Sequence, residues 1–142
     1  MYRFGDAVFA VSLPLAGLVL ASSGCGPGGP TISHVSGRVT MDGKPLANAT
    51  VVFIPENGRP AGANTDADGN YVLNFGSGRR GAIPGKNTIR ITTVREASQD
   101  ENGKSIPGSG ERVPDKYNGN STLEFTVEPN KRNVANFDLS SS

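Results

Sequence analysis

Tryptophan is absent from this chain, cysteine and histidine occur once each, and aromatic residues make up only 6% of its 142 positions. A single Cys excludes an intramolecular disulfide, and one Cys with one His cannot build a conventional zinc site. Neither sign of charge is in excess: 14 Lys and Arg stand against 13 Asp and Glu. So weak a summed field gives no electrostatic footprint for nucleic acid, which is excluded as an expected partner. The apolar run from Ala7 to Leu20 is interrupted by Ser12 and Pro14. It is too short to cross a hydrocarbon core of roughly 30 Å as a helix. What the chain has in quantity is Gly and Pro, 19 and 10 residues respectively. Both are costly inside helices and natural in turns, so many short strands are expected. The length suffices for one modest core and not for two, which predicts a single all-β domain.

The N-terminus follows the grammar of an export signal. Met1 to Arg3 are short and basic, Ala7 to Leu20 are apolar, and small residues lead to Cys25. Leu20-Ala21-Ser22-Ser23-Gly24-Cys25 resembles the lipobox of bacterial lipoproteins, although Ser22 stands where that family usually carries an aliphatic residue. The resemblance implies that Cys25 is acylated and becomes the first mature residue. Ordinary cleavage after Ser23 is the alternative. The expected division is a cleaved signal over 1–24, a Gly/Pro-rich tether over 25–31, and a folded domain over 32–142. Acyl chains on Cys25 would make the membrane a partner, at about 0.8 kcal/mol per buried methylene.

Along the folded part, Val35, Gly37, Val39 and Met41 alternate with Ser36, Arg38 and Thr40. That predicts a half-buried strand whose glycine marks a close approach. Ala49 to Ile54 is the next strand, stopped by Pro55. Ala61 to Thr65 is short, small and polar, and is expected at an edge. Thr65-Asp66-Ala67-Asp68-Gly69-Asn70-Tyr71 reads as a tight turn feeding a strand whose Tyr71, Leu73 and Phe75 face the core. Ile89 and Ile91, then Leu123, Phe125 and Val127, then Ala135, Phe137 and Leu139 supply three more strands. Arg95 to Asn120 is strongly polar and exceeds a plain connection in length, so it is expected to be disordered or a functional loop. Seven strands without a helical period predict a two-sheet sandwich.

Four segments together resemble the carboxypeptidase regulatory-like domain, which has the transthyretin-like (prealbumin-like) β-sandwich fold. They are Val35 to Thr40, Asp42 to Val51, Thr65 to Tyr71, and Ile83-Pro84-Gly85-Lys86. With the lipobox and the Pro114-Asp115-Lys116-Tyr117 segment, the chain resembles small bacterial envelope lipoproteins built on this domain. The resemblance implies an accessory or structural unit and carries no catalytic residue; no metal and no cofactor are expected. One enzyme of this fold hydrolyses 5-hydroxyisourate and ends in Tyr-Arg-Gly-Ser; this chain ends Asp138-Leu139-Ser140-Ser141-Ser142.

Asp66, Asp68 and Asn70 imitate the first ligands of a calcium loop, but the sixth position is Tyr71 in place of Gly and the twelfth is Ser77 in place of Glu. The expected role of Asp66, Asp68, Gly69 and Tyr71 is therefore a turn and fold signature. In it both carboxylates accept backbone N–H groups, Gly69 takes a positive φ, and the Tyr71 ring lies in the core with its hydroxyl near the rim. Arg79 and Arg80, with Lys116 and Tyr117, are candidate contact residues for an envelope protein or polysaccharide. The favoured expectation for them is a solvated loop, with Tyr117 pinning it to the core, since Asp100, Glu101, Glu111 and Asp115 offset the charge. The functional expectation is a non-enzymatic, lipid-anchored structural or interaction module; a glycan- or peptide-binding module serving a partner enzyme is the alternative.

Overall fold

The computed structural model describes residues 30–142, so the expected signal over 1–24, Cys25 and all but the last two residues of the tether lie outside the described residues. Two main sheets face one another. The first is centred on β1 (Val35–Met41), which pairs antiparallel with β2 (Lys44–Pro45) and β5 (Asn70–Val72). It pairs parallel with β12 (Asn133–Val134) and β13 (Phe137–Leu139), in one continuous register from Val35 opposite Asn133 to Met41 opposite Leu139. The second sheet has six strands in the order β11 (Glu124–Val127), β8 (Gly85–Thr92), β3 (Thr50–Pro55), β4 (Ala61–Asn64), β6 (Asn74–Gly76) and β7 (Arg79–Arg80). A separate ribbon is made by β9 (Ser98–Gln99) and β10 (Ser105–Ile106). Among the described residues the only helical turn is a 3-10 turn over Asp115–Tyr117.

Period-two alternation builds the core. Val51, Phe53 and Pro55 of β3 are buried while Thr50, Val52 and Ile54 are half-buried on the outer face. Asn87, Ile89 and Ile91 of β8 are buried in the same way. Phe53 reaches across the interface, its ring 5.9 Å from that of Phe125 in its own sheet and 6.2 Å from that of Phe137 in the other. Full burial of such a ring is worth about 1.5–3 kcal/mol before packing geometry is counted. One stretch of chain serves both sheets, because β5 and β6 are separated only by Leu73. The Leu73 N–H donates to Val35 at 3.0 Å, while its carbonyl accepts from Gly81 at 2.8 Å. A strand that changes sheet in this way turns a corner of the sandwich.

The seven expected strands are all present, with β2, β7, β9, β10 and β12 added. One placement differs: Ala61–Asn64 is an interior strand, paired to β3 on one side and β6 on the other. Its residues are small because its neighbours pack closely: a Cβ on Gly62 would lie 3.4 Å from the Val51 carbonyl oxygen.

The parallel ladder beside β1 breaks at Ala135. The Ala135 N–H donates to Ser36 at 2.8 Å, as the ladder requires. The regular continuation would send the Arg38 N–H to the Ala135 carbonyl. Instead that carbonyl accepts from the Tyr71 hydroxyl at 2.5 Å, and the Arg38 N–H donates to the Asn136 side-chain oxygen at 2.9 Å. Gly37 makes the exchange sterically feasible, since a Cβ there would sit 1.8 Å from the Ala135 oxygen and 2.9 Å from the Tyr71 hydroxyl. The close approach expected at Gly37 is thus this crossing. The expectation of a rim position for the Tyr71 hydroxyl is corrected: the residue is 3% exposed and its hydroxyl is buried, because the Ala135 carbonyl partners it inside the core.

Burial pushes the Tyr71 phenol above its ordinary value of 10.0. A raised folded value means that stability is fully present below the unfolded value and is lost as pH rises past it. Urea unfolding is expected to show Tyr71→Phe less stable by about 1–3 kcal/mol at neutral pH, because the buried Ala135 carbonyl loses its donor and must compete with Asn136 for the Arg38 N–H. Above pH 10 wild-type stability falls by up to about 1.4 kcal/mol per pH unit from this group, so the difference from the variant narrows. A constant difference across that range would contradict the assignment.

Candidate functional site

The Thr65–Tyr71 segment is fixed by its own polar atoms. The Asp66 carboxylate accepts from the N–H groups of Asp68 and Asn70, each at 2.9 Å. The Gly69 N–H donates to the Asp66 carbonyl and the Asp66 N–H to the Asn70 carbonyl, closing a three-residue loop with Gly69 at φ 78°. Gly69 is required twice, because a Cβ would also lie 2.4 Å from the Val39 carbonyl. The expectation for Asp68 is corrected. Its main-chain carbonyl accepts from Arg38 Nε at 3.0 Å. The Asp68 N–H donates to the Asp66 carboxylate, and among the described residues no backbone N–H donates to the Asp68 carboxylate. Thr65 ties the turn to the connector before β3: its hydroxyl donates to Leu46 and accepts from the Ala49 N–H.

The same device recurs in the segment expected to be disordered or a functional loop. Asp100-Glu101-Asn102-Gly103-Lys104 repeats the spacing of Asp66 to Asn70, and the Asp100 carboxylate accepts from Asn102 and Lys104 N–H groups at 2.9 and 2.8 Å. Gly103 has φ 79°. This turn closes the β9–β10 ribbon, and Arg95 and Ser109 exchange two further backbone bonds below it.

Glu111 is the anchor of the whole excursion. Its carboxylate accepts from the Thr93 N–H at 2.9 Å, the Thr93 hydroxyl at 3.0 Å, the Val113 N–H at 3.1 Å and the Asn118 side chain at 2.7 Å, and also from the Thr92 hydroxyl. Partial burial by itself raises a carboxyl, but the donors from Thr92, Thr93 and Val113 outweigh it and hold Glu111 below its ordinary 4.5. Val113 is buried beneath this knot, and the Tyr117 ring packs against the core while its hydroxyl accepts from the Ser140 N–H at 3.2 Å. The segment is therefore ordered by hydrogen bonds to the Glu111 and Asp100 carboxylates, with Val113 and Tyr117 as its apolar contacts with the core.

At this distal end a cleft of about 200 Å³ is lined by Asn48, Thr50, Asn64, Val94 and Arg95. It continues over the outer face of the six-stranded sheet, where Gly62 and Ala63 floor a depression walled by Thr50, Asn64, Val72 and Asn74. Val94 is 52% exposed, so the cleft pairs an apolar tip with amide and guanidinium groups. At the opposite end, where the chain enters, Ser33 and Ala82 exchange backbone bonds. There Arg59 and Arg79 both lie over the Phe75 ring, at 5.6 and 5.5 Å from its centroid.

The four candidate contact residues do not form one surface. Arg79 covers Phe75, whereas Arg80 lines a separate cleft with Val72, Asn74 and Gly78. Lys116 and Tyr117 belong to the distal excursion, with Lys116 Nζ 5.1 Å from the Tyr117 ring and bonded to the Ser142 carbonyl. Asp66, Asp68, Gly69 and Tyr71 are local to one turn and the strand that follows. Sequence reading missed Glu111, Arg59 and the second Asp-to-Gly turn; only the last had a signal, its repeated spacing. Among the described residues no three of His, Cys, Asp and Glu gather closely enough to hold a metal ion, and no helix is long and apolar enough to cross a membrane.

No protein-family model matches the sequence, and no curated protein matches it. Among solved structures the chain is similar to a 9R-lipoxygenase from Cyanothece PCC8801, at 13% identity and a TM-score of 0.40, covering 78% of this chain and 16% of that one. Nothing about function follows from a likeness at that level. The strand pairing itself shows an all-β, two-sheet sandwich.

Replacing the anchor carboxylate by an amide, Glu111→Gln, is expected to speed hydrogen exchange at the Thr93 and Val113 amides by roughly fivefold or more, equivalent to about 1 kcal/mol. The lowered folded value gives the same sign for acid: Glu111's contribution is present above the ordinary carboxyl value and is lost as pH falls through the folded one. Unchanged exchange at those two amides would remove Glu111 from this role.

Proposed function

We propose that this chain is a non-enzymatic, lipid-anchored protein of the bacterial cell envelope, in which a transthyretin-like sandwich of the carboxypeptidase regulatory-like type serves as a structural or protein-interaction module. No catalytic residue, metal or cofactor is assigned. The observation that carries the reading is the opposition of the two ends. The chain enters beside Ser33 and Ala82, while the Glu111-anchored excursion and its cleft stand at the other end of the strands. A domain anchored through Cys25 would therefore hold its most elaborated surface away from the lipid, where an envelope partner can reach it. The Asp66 to Tyr71 turn and the Gly37 crossing support the family reading, since both lie within segments on which the resemblance rests.

A second reading, a glycan- or peptide-binding module that presents ligand to a partner enzyme, is favoured by one observation. The outer face of the six-stranded sheet is an open polar groove of Thr50, Asn64 and Asn74 around the Gly62 floor, with Arg80 at its far side. Amide and guanidinium groups on a flat surface suit hydroxyl-rich ligands and extended peptides alike.

Cys25→Ala tests the anchor: the exported variant is expected in the soluble fraction, and its retention in the membrane fraction would contradict acylation at Cys25. Photo-crosslinking from position 94 in the native envelope tests the module. A defined adduct weakened by Arg95→Glu is expected, and none at position 94 would count against a distal contact surface.

A further inference from the structure

The domain is electrically lopsided although the chain has a formal net charge of only +1. Its entry end is marked by the strand termini Val35, Pro55, Gly76, Gly85 and Val127. That end carries Arg59, Arg79, Arg80, Lys86, Lys131 and Arg132 against Glu56, Glu124 and Glu128. Lys86 pairs with Glu124 at 3.2 Å and Lys131 with Glu128, which leaves four arginines and one carboxylate. Among the described residues none of those four arginines is in an ion pair. The rest of the described domain has seven basic and nine acidic side chains, so its balance is reversed.

The arginines are also positioned. Arg59 and Arg79 share the Phe75 ring and line a cleft of about 370 Å³ with Pro30, Gly76 and Ser77. The Arg59 guanidinium lies across this hairpin beside Gly76, 3.2 Å from where a Cβ would stand. Arg132 stands on the turn whose neighbours Asn130 and Asn133 donate to Ser33 and His34. Arg79 donates to the Pro30 carbonyl at 2.7 Å, which ties the basic cluster to the point where the chain arrives. Pro30 lies five residues after Cys25. Five residues span at most about 17 Å in any conformation, so an acylated Cys25 would confine this face to the headgroup region of its own membrane.

We propose that Arg59, Arg79 and Arg132 form a docking face for anionic phospholipid headgroups, which orients the anchored domain with its distal cleft outward. This rests on the lipid-anchor reading above. Guanidinium groups bind phosphate oxygens in a bidentate fork, and unpaired arginines close to an anionic leaflet gain from its surface potential without a carboxylate to displace. The short tether selects a lipid surface over a distant polyanion, because it supplies headgroups at high local concentration.

The test compares hydrogen exchange of the full chain on phosphatidylcholine vesicles and on vesicles containing phosphatidylglycerol, at low and high salt. Association with phosphatidylcholine vesicles reads the anchor alone; the extra protection on phosphatidylglycerol reads the arginines, so the two readings fail separately. At low salt the amides of 76–80 and 128–133 are expected to exchange several-fold more slowly on the anionic vesicles, with no change at 66–69. High salt should abolish the difference. Arg59→Gln and Arg132→Gln, both exposed side chains, should each shrink that difference and weaken binding to phosphatidylglycerol vesicles roughly fivefold, with melting temperature confirming the fold. Equal exchange on the two vesicle types overturns the proposal. So does protection that survives high salt, that centres on 66–69, or that is matched by a soluble anionic polysaccharide in place of vesicles. If the chain does not associate with phosphatidylcholine, salt-reversible flotation with phosphatidylglycerol still supports the arginine face, and its absence overturns it.

Discussion

A single carbonyl turned out of its ladder organises this sandwich. By donating to Ala135, Tyr71 removes an acceptor that the parallel pairing of β1 would use, and Asn136 returns an equivalent acceptor to the Arg38 N–H. No buried backbone group in the exchange is left orphaned, which in a dry interior would cost about 1–3 kcal/mol each. The exchange also demands a glycine at position 37, because the rotated carbonyl occupies the space of a Cβ. Three segments far apart in sequence are thereby locked in register: the first strand, the strand after the signature turn, and the C-terminal strand. Register matters here because a one-residue slip would move every core side chain of β1 to the solvent face.

The two ends of the sandwich then follow different physics. Near the chain entry, order comes from close backbone approach and from Asn133, whose amide donates to His34, Glu128 and Lys131 carbonyls while its oxygen accepts from Glu128. At the distal end there is little aliphatic surface to bury, and Asp66, Asp100 and Glu111 organise the backbone by accepting its N–H groups. Carboxylates used in this way place negative charge at the distal end, while arginines without partners gather at the other. The same choice of local chemistry that builds the loops thus also gives the domain its electrical direction.

Much of the fold was legible in the sequence, since strands such as Val51-Val52-Phe53 and Lys86 to Thr92 combine alternation with clear turn punctuation. Gly37 and Gly69 were legible as special backbone positions, because an isolated glycine in a strand and an Asp-x-x-Gly turn each have a physical meaning on their own. The interior place of Ala61–Asn64 was not legible: small residues suit an exposed edge and a closely packed centre equally, and only the pairing partners decide. Nor was the ordering of residues 95–120, because Glu111 acts on Thr93 and Val113 through contacts that carry no periodic signature. The ladder exchange at Ala135 was invisible for the same reason, since it depends on which carbonyl the Tyr71 hydroxyl meets. The candidate surfaces were the least legible part, as Arg59 and Arg79 meet only over Phe75, and Arg80 departs to the other face of the hairpin.

A double-mutant cycle of Tyr71→Phe and Asn136→Ala on unfolding free energy tests the central claim most directly. If the Tyr71 hydroxyl diverts the Ala135 carbonyl and Asn136 substitutes for it, removing the hydroxyl frees the carbonyl to return to the Arg38 N–H, and Asn136 then matters less. The account predicts that the double variant loses at least about 0.5 kcal/mol less than the sum of the single losses. Strict additivity of the two substitutions would contradict it.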